Sequence, residues 1–380
     1  MQSLNKPRWV LILLCLFFLS ACTAPTVQAI RSTKHVQDTP TRTITVQPSA
    51  TLTVSPSATS TQTLTPLPPT LTSTPVSLPL VQPAGLGYGI EPEQYVQDTC
   101  QYLYERWNTA QNSVPGTVVV PVMFHSISDR GTPSPGDTTV STTYFKNFMD
   151  RAHQLGFETI TTGQLVDFLE KNARIPPRSM ILIVDDRKRA SFFTTFFEPY
   201  YQKYGWTVTN AWISHPDTPA YLWKENADLI PLGFLDFQAH GVIHNIPIEP
   251  DSTDAFIHTE IYGPLTAMQE HFGKEPVAYI WPRGLFTPKA ANVLQEAGYQ
   301  LGFSSYPRGP LLFNWIPLGS AERQVKNPLL VLPRYWSPYA VANLDDALKI
   351  SDAARAFANQ NREPELNYYG KYCKGYPELK

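Results

Sequence analysis

Aromatic and charged residues are missing from a long stretch near the N-terminus. No Phe, Trp or Tyr occurs from Thr23 to Leu80, and no charged residue from Thr43 to Leu80. The segment consists largely of Thr, Ser and Pro. Such a composition cannot bury enough apolar surface to offset the entropy lost on ordering, which excludes a folded domain there. We therefore predict that residues 23–82 form a disordered linker, stiffened by its prolines.

The chain also lacks an excess of charge of either sign. It has 30 Lys and Arg residues against 32 Asp and Glu residues among 380 residues. Because no strong positive field attracts nucleic acid or an anionic surface, we expect no nucleic acid partner and a neutral substrate. After residue 22, no apolar run is long enough to cross a bilayer. The oligomeric state is not predicted by any of these features.

The first 22 residues have the pattern of a secretory signal. Lys6 and Arg8 precede an apolar run from Trp9 to Leu19, and small residues lead to Cys22. The final Leu-Ser-Ala-Cys resembles the lipobox of bacterial lipoproteins. That resemblance implies that Cys22 becomes a lipidated N-terminus and that the protein is extracytoplasmic, anchored to the cell membrane by lipid alone. A plain signal peptide is the alternative.

Cysteine is scarce, with four residues in the whole chain. Cys15 lies inside the predicted signal, so the exported protein keeps Cys22, Cys100 and Cys373. Outside the cytoplasm a pair of cysteines can oxidise. We predict a Cys100–Cys373 disulfide that ties the start of the folded domain to its tail. Two free buried cysteines are the alternative.

Alternating strand and helix patterns fill residues 115–340. The apolar run at 180–184 is rich in β-branched side chains and too short for a membrane span, which predicts a strand buried on both faces. Repeated βα units favour an α/β fold with a parallel sheet closed, or nearly closed, into a barrel. Residues 83–114 are predicted to be an N-terminal helical extension, and residues 341–380 a C-terminal helix and tail. The predicted helices of these flanks cover residues 94–110 and 343–357.

Residues that can do chemistry follow the predicted strands. The carboxyl ends of parallel strands meet at one face of the sheet. The residues at these ends are His125, Asp185, Asp186, His240, His244, Arg283 and Arg334. Two histidines four apart and one carboxylate form a common catalytic set for zinc and other divalent transition metals. The H-x3-H spacing alone is weak, and the Asp pair alone could cap a helix, but their combination favours a metal site.

Three stretches resemble the polysaccharide deacetylase family, also called the NodB-homology or carbohydrate esterase 4 family. Ile183–Arg187 resembles its T-F-D-D-G signature and His240–His244 its H-[ST]-x-x-H signature. Pro121–His125 is similar to the first strand of an exported branch related to poly-N-acetylglucosamine deacetylases. Supporting matches are Pro282–Gly284 and Leu332–Arg334. The resemblance implies a single-domain, distorted (β/α)7-8 barrel of the NodB type.

The resemblance also implies an activity and a role for each residue. The protein would be a metal-dependent hydrolase that removes N-acetyl groups from an amino-sugar polysaccharide. Asp186, His240 and His244 would hold a divalent metal, expected to be Zn²⁺. Asp185 would be the general base and His125 the general acid, although a structural histidine bonded within the barrel is an equal alternative for His125. A carbohydrate-binding lipoprotein without turnover is the alternative function.

Three positions depart from the family pattern. Arg187 stands where the family has glycine; if that position needs a positive φ, arginine is costly there, and its guanidinium could pair with a catalytic carboxylate. Gly241 stands where Ser or Thr is usual. The arginine that orients the base in many members falls near Ile280, so Arg283 or Arg334 would have to replace it.

The chain has eight tryptophans, most of them expected in the core. Trp281 precedes Pro282 at the end of a predicted strand, where the mouth of the barrel would lie. An aromatic ring at such a place can stack on a sugar. We therefore predict that Trp281 contributes to substrate binding.

Overall fold

The computed structural model describes residues 80–82, 85–129, 138–243 and 246–379. The predicted signal, Cys22, nearly all of the predicted linker and His244 lie outside these ranges. The strands are β1 (Glu91–Glu93), β2 (Val118–Phe124), β3 (Ser126–Ile127), β4 (Thr139–Val140), β5 (Glu158–Thr159), β6 (Arg178–Asp185), β7 (Val208–Trp212), β8 (Leu235–Ala239), β9 (Ala278–Ile280), β10 (Leu301–Phe303), β11 (Ile316–Leu318) and β12 (Tyr335–Trp336). The helices are α1 (Thr99–Trp107), α2 (Thr142–Gln154), α3 (Thr162–Lys171), α4 (Ala190–Phe196), α5 (Glu198–Tyr204), α6 (Ala220–Ala227), α7 (Asp254–Phe272), α8 (Pro288–Glu296) and α9 (Ala340–Tyr372). In the described part of the chain, no helix is both long and apolar enough to cross a membrane.

A curled parallel sheet organises the domain. Its strand order is β10-β9-β8-β7-β6-β2-β12, and the short strand β5 also pairs with β6. β2 and β6 run side by side from the Val118–Arg178 pair to the Phe124–Val184 pair. Every residue of β2 is buried, which is expected of strands that lie beneath helices. The apolar, β-branched composition of these strands thus follows from burial of both faces.

The sheet closes through an irregular segment before β12. The Leu332 amide donates to the Gly302 carbonyl at 2.7 Å, and the Ser304 amide donates to the Leu332 carbonyl at 2.9 Å. β12 then pairs with β2. The segment from Leu332 to β12 therefore connects β10 to β2. A Cβ at residue 302 would overlap the backbone of Leu330, which explains the glycine. The predicted α/β fold, a distorted barrel of the NodB type, is confirmed.

Helix α2 shows how the helices fix the strand ends. Ser141 caps it by accepting from the Tyr144 amide, and its apolar residues fall at helical spacing. Phe145 and Phe148 meet Phe124 edge to face. Burying one such ring contributes about 1.5–3 kcal/mol. This packing holds the end of β2, and with it the residue that follows.

The N-terminal flank contains a strand as well as a helix. β1 pairs antiparallel with β11, which lies outside the barrel sheet. α1 begins only at Thr99, where Asp98 accepts from the amides of Cys100 and Gln101. The predicted helix over residues 94–110 is therefore too long, because the Asp98 cap starts it later.

The C-terminal helix is longer than predicted. α9 runs from Ala340 through Pro364 to Tyr372 instead of ending at residue 357. Its last turns pack against α1, where the Trp107 indole donates to the Glu365 carboxylate at 2.7 Å. A disulfide joins Cys100 and Cys373, with 5.4 Å between their Cα atoms. Tertiary contacts with α1 thus keep the tyrosine-rich tail helical.

Candidate active site

The Asp pair lies at the carboxyl end of β6. Asp185 is the last residue of the strand, and Asp186 leaves it with a φ of 70°. Aspartate enters this left-handed region more readily than most residues do, because its short polar side chain can bond locally. The residue with positive φ is therefore Asp186, and Arg187 is not among the described non-glycine residues with positive φ. The backbone cost considered for an arginine at position 187 does not arise.

Asn210 on β7 stabilises this turn. Its amide nitrogen donates to the carbonyls of Val184 and Asp186, at 2.9 Å each, and the side chain is fully buried. These bonds fix the backbone on both sides of Asp185. Sequence analysis missed Asn210, although a signal is present: a buried amide needs hydrogen-bond partners, and this one interrupts a buried strand, Val208–Trp212.

Asp185 lies between an arginine and a histidine. Nη1 of Arg334 donates to Oδ1 of Asp185 at 2.6 Å, and Nε of Arg334 donates to the Ser304 carbonyl at 2.8 Å. On the other side, Oδ2 of Asp185 is 3.6 Å from Nε2 of His125. Burial by itself would raise the pKa of Asp185, but Arg334 and the His240 and His125 rings outweigh it and lower the pKa to about 2. The carboxylate is therefore ionised at neutral pH.

His125 is placed by the end of β2 and is only partly exposed. Burial lowers the pKa of its ring, whereas the Asp185 and Asp186 carboxylates favour the protonated form. Its Nδ1 is buried and has no hydrogen-bond partner among the described residues. The structural alternative for His125 needs a bond within the barrel, and no such bond is made by Nδ1 in this part of the chain.

Of the two arginines considered as orienting residues, Arg334 contacts Asp185. The guanidinium is 1% exposed, and the closing segment of the barrel carries it. Arg283 lies in a turn after β9 with a φ of 54°, and its side chain is exposed. Arg334, rather than Arg283, is therefore the arginine that contacts the predicted base in the described part of the chain.

The prediction that Trp281 contributes to substrate binding is wrong. Its side chain is 0% exposed, its indole nitrogen donates to the Leu330 carbonyl at 2.8 Å, and its ring meets Tyr279 edge to face. A sugar cannot reach a ring that is enclosed on all sides. The tryptophan at this strand end belongs to the core.

Asp186 and His240 face each other across the mouth of the barrel. The Nδ1 of His240 is 2.7 Å from the Ile280 carbonyl, and since a carbonyl can only accept, Nδ1 carries the proton. The lone pair on Nε2 is then free, and Nε2 lies 4.0 Å from Oδ1 of Asp186. Two ligand bonds of about 2.1 Å to one ion can span such a gap. A backbone acceptor on the second ring nitrogen is also typical of a metal-binding histidine.

The third predicted ligand, His244, lies outside the described residues. Within the described ranges, no group of three or more His, Cys, Asp or Glu side chains is arranged to hold a metal ion. The structure thus brings together Asp186 and His240, whose donor atoms suit a divalent cation.

Two basic residues follow the Asp pair. The Arg187 guanidinium donates to Oγ1 of Thr218 at 2.6 Å, and no ion pair with Asp185 or Asp186 is found for it in the described part of the chain. The neighbouring cation is Lys188, whose Nζ lies 3.7 Å from Oδ2 of Asp186 and whose side chain is 17% exposed. Burial lowers the pKa of Lys188, while the two carboxylates oppose that shift. Sequence analysis missed Lys188.

Residues 172–302 match the family model described as polysaccharide deacetylase. The resemblance noted in the sequence is confirmed over this segment. No curated protein matches the chain. Similar solved structures include a Streptococcus pyogenes deacetylase, PplD, in complex with acetate; it is 19% identical, with a TM-score of 0.48 over 61% of this chain and 98% of that one.

Two further similar structures are IcaB from Ammonifex degensii and a de-N-acetylase from Aggregatibacter actinomycetemcomitans. IcaB is 16% identical, with a TM-score of 0.46 over 64% of this chain and 100% of that chain. The de-N-acetylase is 12% identical, with a TM-score of 0.47 over 60% of this chain and 99% of that chain. The fold follows from the strand pairing described above.

Proposed function

We propose, taking the polysaccharide deacetylase match of residues 172–302 as the premise, that this protein is a metal-dependent hydrolase that removes N-acetyl groups from an amino-sugar polysaccharide. The observation that carries the proposal is the meeting of Asp185, Asp186 and His240 at one end of the barrel, with Arg334 bonded to Asp185. We further propose that the enzyme acts outside the cytoplasm, held at the membrane by a lipid on Cys22.

Asp186 and His240 would hold the metal, together with His244 as the third ligand that the sequence predicts. Zn²⁺ is the expected ion, because two imidazoles and one carboxylate are a frequent catalytic zinc set. When bound, such an ion polarises the acetyl carbonyl and lowers the pKa of a bound water. The protonated Nδ1 of His240, bonded to the Ile280 carbonyl, keeps the ring turned with Nε2 toward the site.

Asp185 would act as the general base. Amide hydrolysis joins a water oxygen to the acetyl carbon, breaks the carbon–nitrogen bond, and needs a proton on the departing amine. Oδ2 of Asp185 is the oxygen that can take the proton from the water, because Oδ1 is occupied by Arg334. His125, with Nε2 beside that same oxygen, would supply the proton to the amine. The products are acetate and a free amino sugar.

The second candidate is a surface lipoprotein that binds carbohydrate without turnover. Lys188 is the observation that favours it, because an ammonium group 3.7 Å from a metal-ligand carboxylate repels a divalent cation. A polysaccharide would still be the partner, but the hydrolytic step would be lost.

Zinc content and acetate release from N-acetylglucosamine oligomers, measured on the full chain, separate the two candidates. The hydrolase is expected to bind about one zinc per chain and to release acetate, and a chelator should abolish that release. Retained glycan binding without acetate release, whether or not zinc is bound, would reject the hydrolase in favour of the binding protein. His240→Ala should lose both zinc and turnover.

A further inference from the structure

A buried carboxylate contacts the turn that follows His240. Glu260 lies on α7, its residue is 0% exposed, and it is not one of the predicted site residues. Its Oε2 accepts from the Val242 amide at 2.9 Å, and its Oε1 accepts from the Ile243 amide at 3.0 Å. Both carboxylate oxygens thus bind consecutive backbone N–H groups. Hydrogen bonds to an ionised acceptor are stronger than neutral ones.

Gly241 has the shape that this carboxylate requires. Its φ is 74°, and a Cβ at this position would overlap Oε2 of Glu260 and crowd the Tyr279 hydroxyl. A residue with a side chain would therefore be strained by its own backbone and displaced by the glutamate. The departure from the family's Ser or Thr has a physical reason here: Glu260 occupies the space next to residue 241 and bonds the turn itself.

The turn is connected to its surroundings on the opposite side as well. The Ser214 amide donates to the Gly241 carbonyl at 2.9 Å, and the His240 amide donates to the Trp212 carbonyl at 2.9 Å. α7 comes close to the turn because Gly263, three residues after Glu260, leaves room for the Val242 side chain. The backbone around His240 is therefore fixed between the end of β7 and α7.

We propose that Glu260 is a positioning residue for metal binding: by holding the 241–243 turn against α7, it fixes the orientation in which His240 presents Nε2. The inference deepens the proposed function. It rests on that function only where zinc binding is measured. Burial raises the pKa of Glu260, whereas the two amides favour its ionised form. Glu260 is not assigned as a ligand or as a base.

Glu260→Gln tests the proposal, because it keeps the volume and replaces one acceptor oxygen by a donor that faces an N–H group. Zinc affinity of the full chain should fall about 10- to 100-fold, the usual effect of removing a residue that orients a ligand. Glu270→Gln is the matched control, an exposed residue on the same helix. If both variants melt as wild type and bind zinc equally well, the proposal is overturned.

Amide hydrogen exchange tests the same proposal without metal. In Glu260→Gln, exchange at Val242 and Ile243 should accelerate, while exchange elsewhere in α7 should match the Glu270→Gln control. Unchanged protection at both amides would overturn the proposal. If wild type bound no zinc, the proposed function would fail, and the exchange result would still decide whether Glu260 holds the 241–243 turn.

Gly241→Ala, introduced alone and together with Glu260→Ala, measures the coupling between the two positions. With Glu260 present, the added methyl group meets Oε2, so zinc affinity should drop sharply. In the Glu260→Ala background the same change should have a clearly smaller effect, since the overlap with Oε2 is gone and only the backbone strain and the tight contact with the Tyr279 hydroxyl remain. Equal losses in both backgrounds would show that the two residues act independently and would contradict the proposal.

Discussion

The mouth of the barrel and the flank between α1 and α9 each contain a buried carboxylate paired with an arginine. The pKa of the carboxylate is lowered at the mouth and raised in the flank. Asp185 pairs with Arg334, and Glu365 pairs with Arg106; both acidic side chains are 3% exposed. Burial raises the pKa of Glu365 in spite of Arg106 and the Trp107 indole. At Asp185 the same penalty is outweighed, and the pKa falls to about 2.

The difference lies in the groups that surround each carboxylate. Asp185 is stabilised by Arg334 together with the His240 and His125 rings, and the guanidinium that contacts it is almost fully buried. Arg106 is 14% exposed and, among the residues that the structure describes, is the one charged group that stabilises the ionised form of Glu365. At Glu365 one partly exposed arginine does not offset the desolvation of the carboxylate, whereas at Asp185 a buried arginine with two neighbouring imidazoles does. The surroundings at the mouth stabilise a buried negative charge, whereas the pair in the flank joins helices α1 and α9.

Replacing the two carboxylates by their amides gives the largest expected contrast. Asp185→Asn should lower turnover by about 10²- to 10⁴-fold, the usual contribution of a general base, and leave zinc bound. Glu365→Gln should leave turnover unchanged, because Glu365 contacts Arg106 and Trp107 of α1. Acetate release and zinc content, measured on both variants, check this. Equal turnover in Asp185→Asn and wild type would refute the role given to Asp185.

Replacing the two arginines tests how much each ion pair contributes to the free energy of unfolding. Arg334→Met should destabilise the fold by about 3–5 kcal/mol, because it leaves Asp185 buried without its main partner. Arg106→Met should cost less than about 3 kcal/mol, since Glu365 keeps its bond from Trp107 and can take up a proton. Urea unfolding at neutral pH measures both losses. A larger loss for Arg106→Met would reverse the comparison.

The pH dependence of stability gives the smallest effect. The pKa of Glu365 is raised in the folded state, so the folded state binds its proton more tightly than the unfolded state does. As the pH falls from the folded pKa toward the unfolded value of about 4.3, this group should therefore increase stability. Glu365→Gln cannot show that gain. Urea unfolding between pH 7 and 4.5 should show wild type improving relative to the variant, and parallel curves would be inconsistent with a raised pKa.

Sequence patterns located the candidate reacting groups because the pattern of apolar residues shows where each strand ends. The buried run before Asp185 and the alternation of strands and helices were enough to predict that the acidic pair and His240 share one face. The left-handed turn at Asp186 was not predictable, since it depends on Asn210 of the next strand. Nor was the choice of Arg334 over Arg283, which depends on how the barrel closes.

The same limit applies to Trp281 and to the helix that ends the chain. Whether an aromatic ring at a strand end faces solvent or the core depends on neighbours far away in sequence, here the Leu330 carbonyl. Likewise α9 extends past residue 357 because α1 packs on it. The helix propensity of the local sequence cannot predict such a contact.

Closure of the barrel by the segment around Leu332 also has a consequence during synthesis. The strand that completes the ring and the guanidinium that holds Asp185 belong to the same short stretch of the chain. A nascent polypeptide that has not yet emerged past Arg334 has its acidic pair and His240 but neither the seam nor the counter-ion. The seam and the counter-ion of Asp185 are therefore expected to form in the same step, when β12 docks on β2.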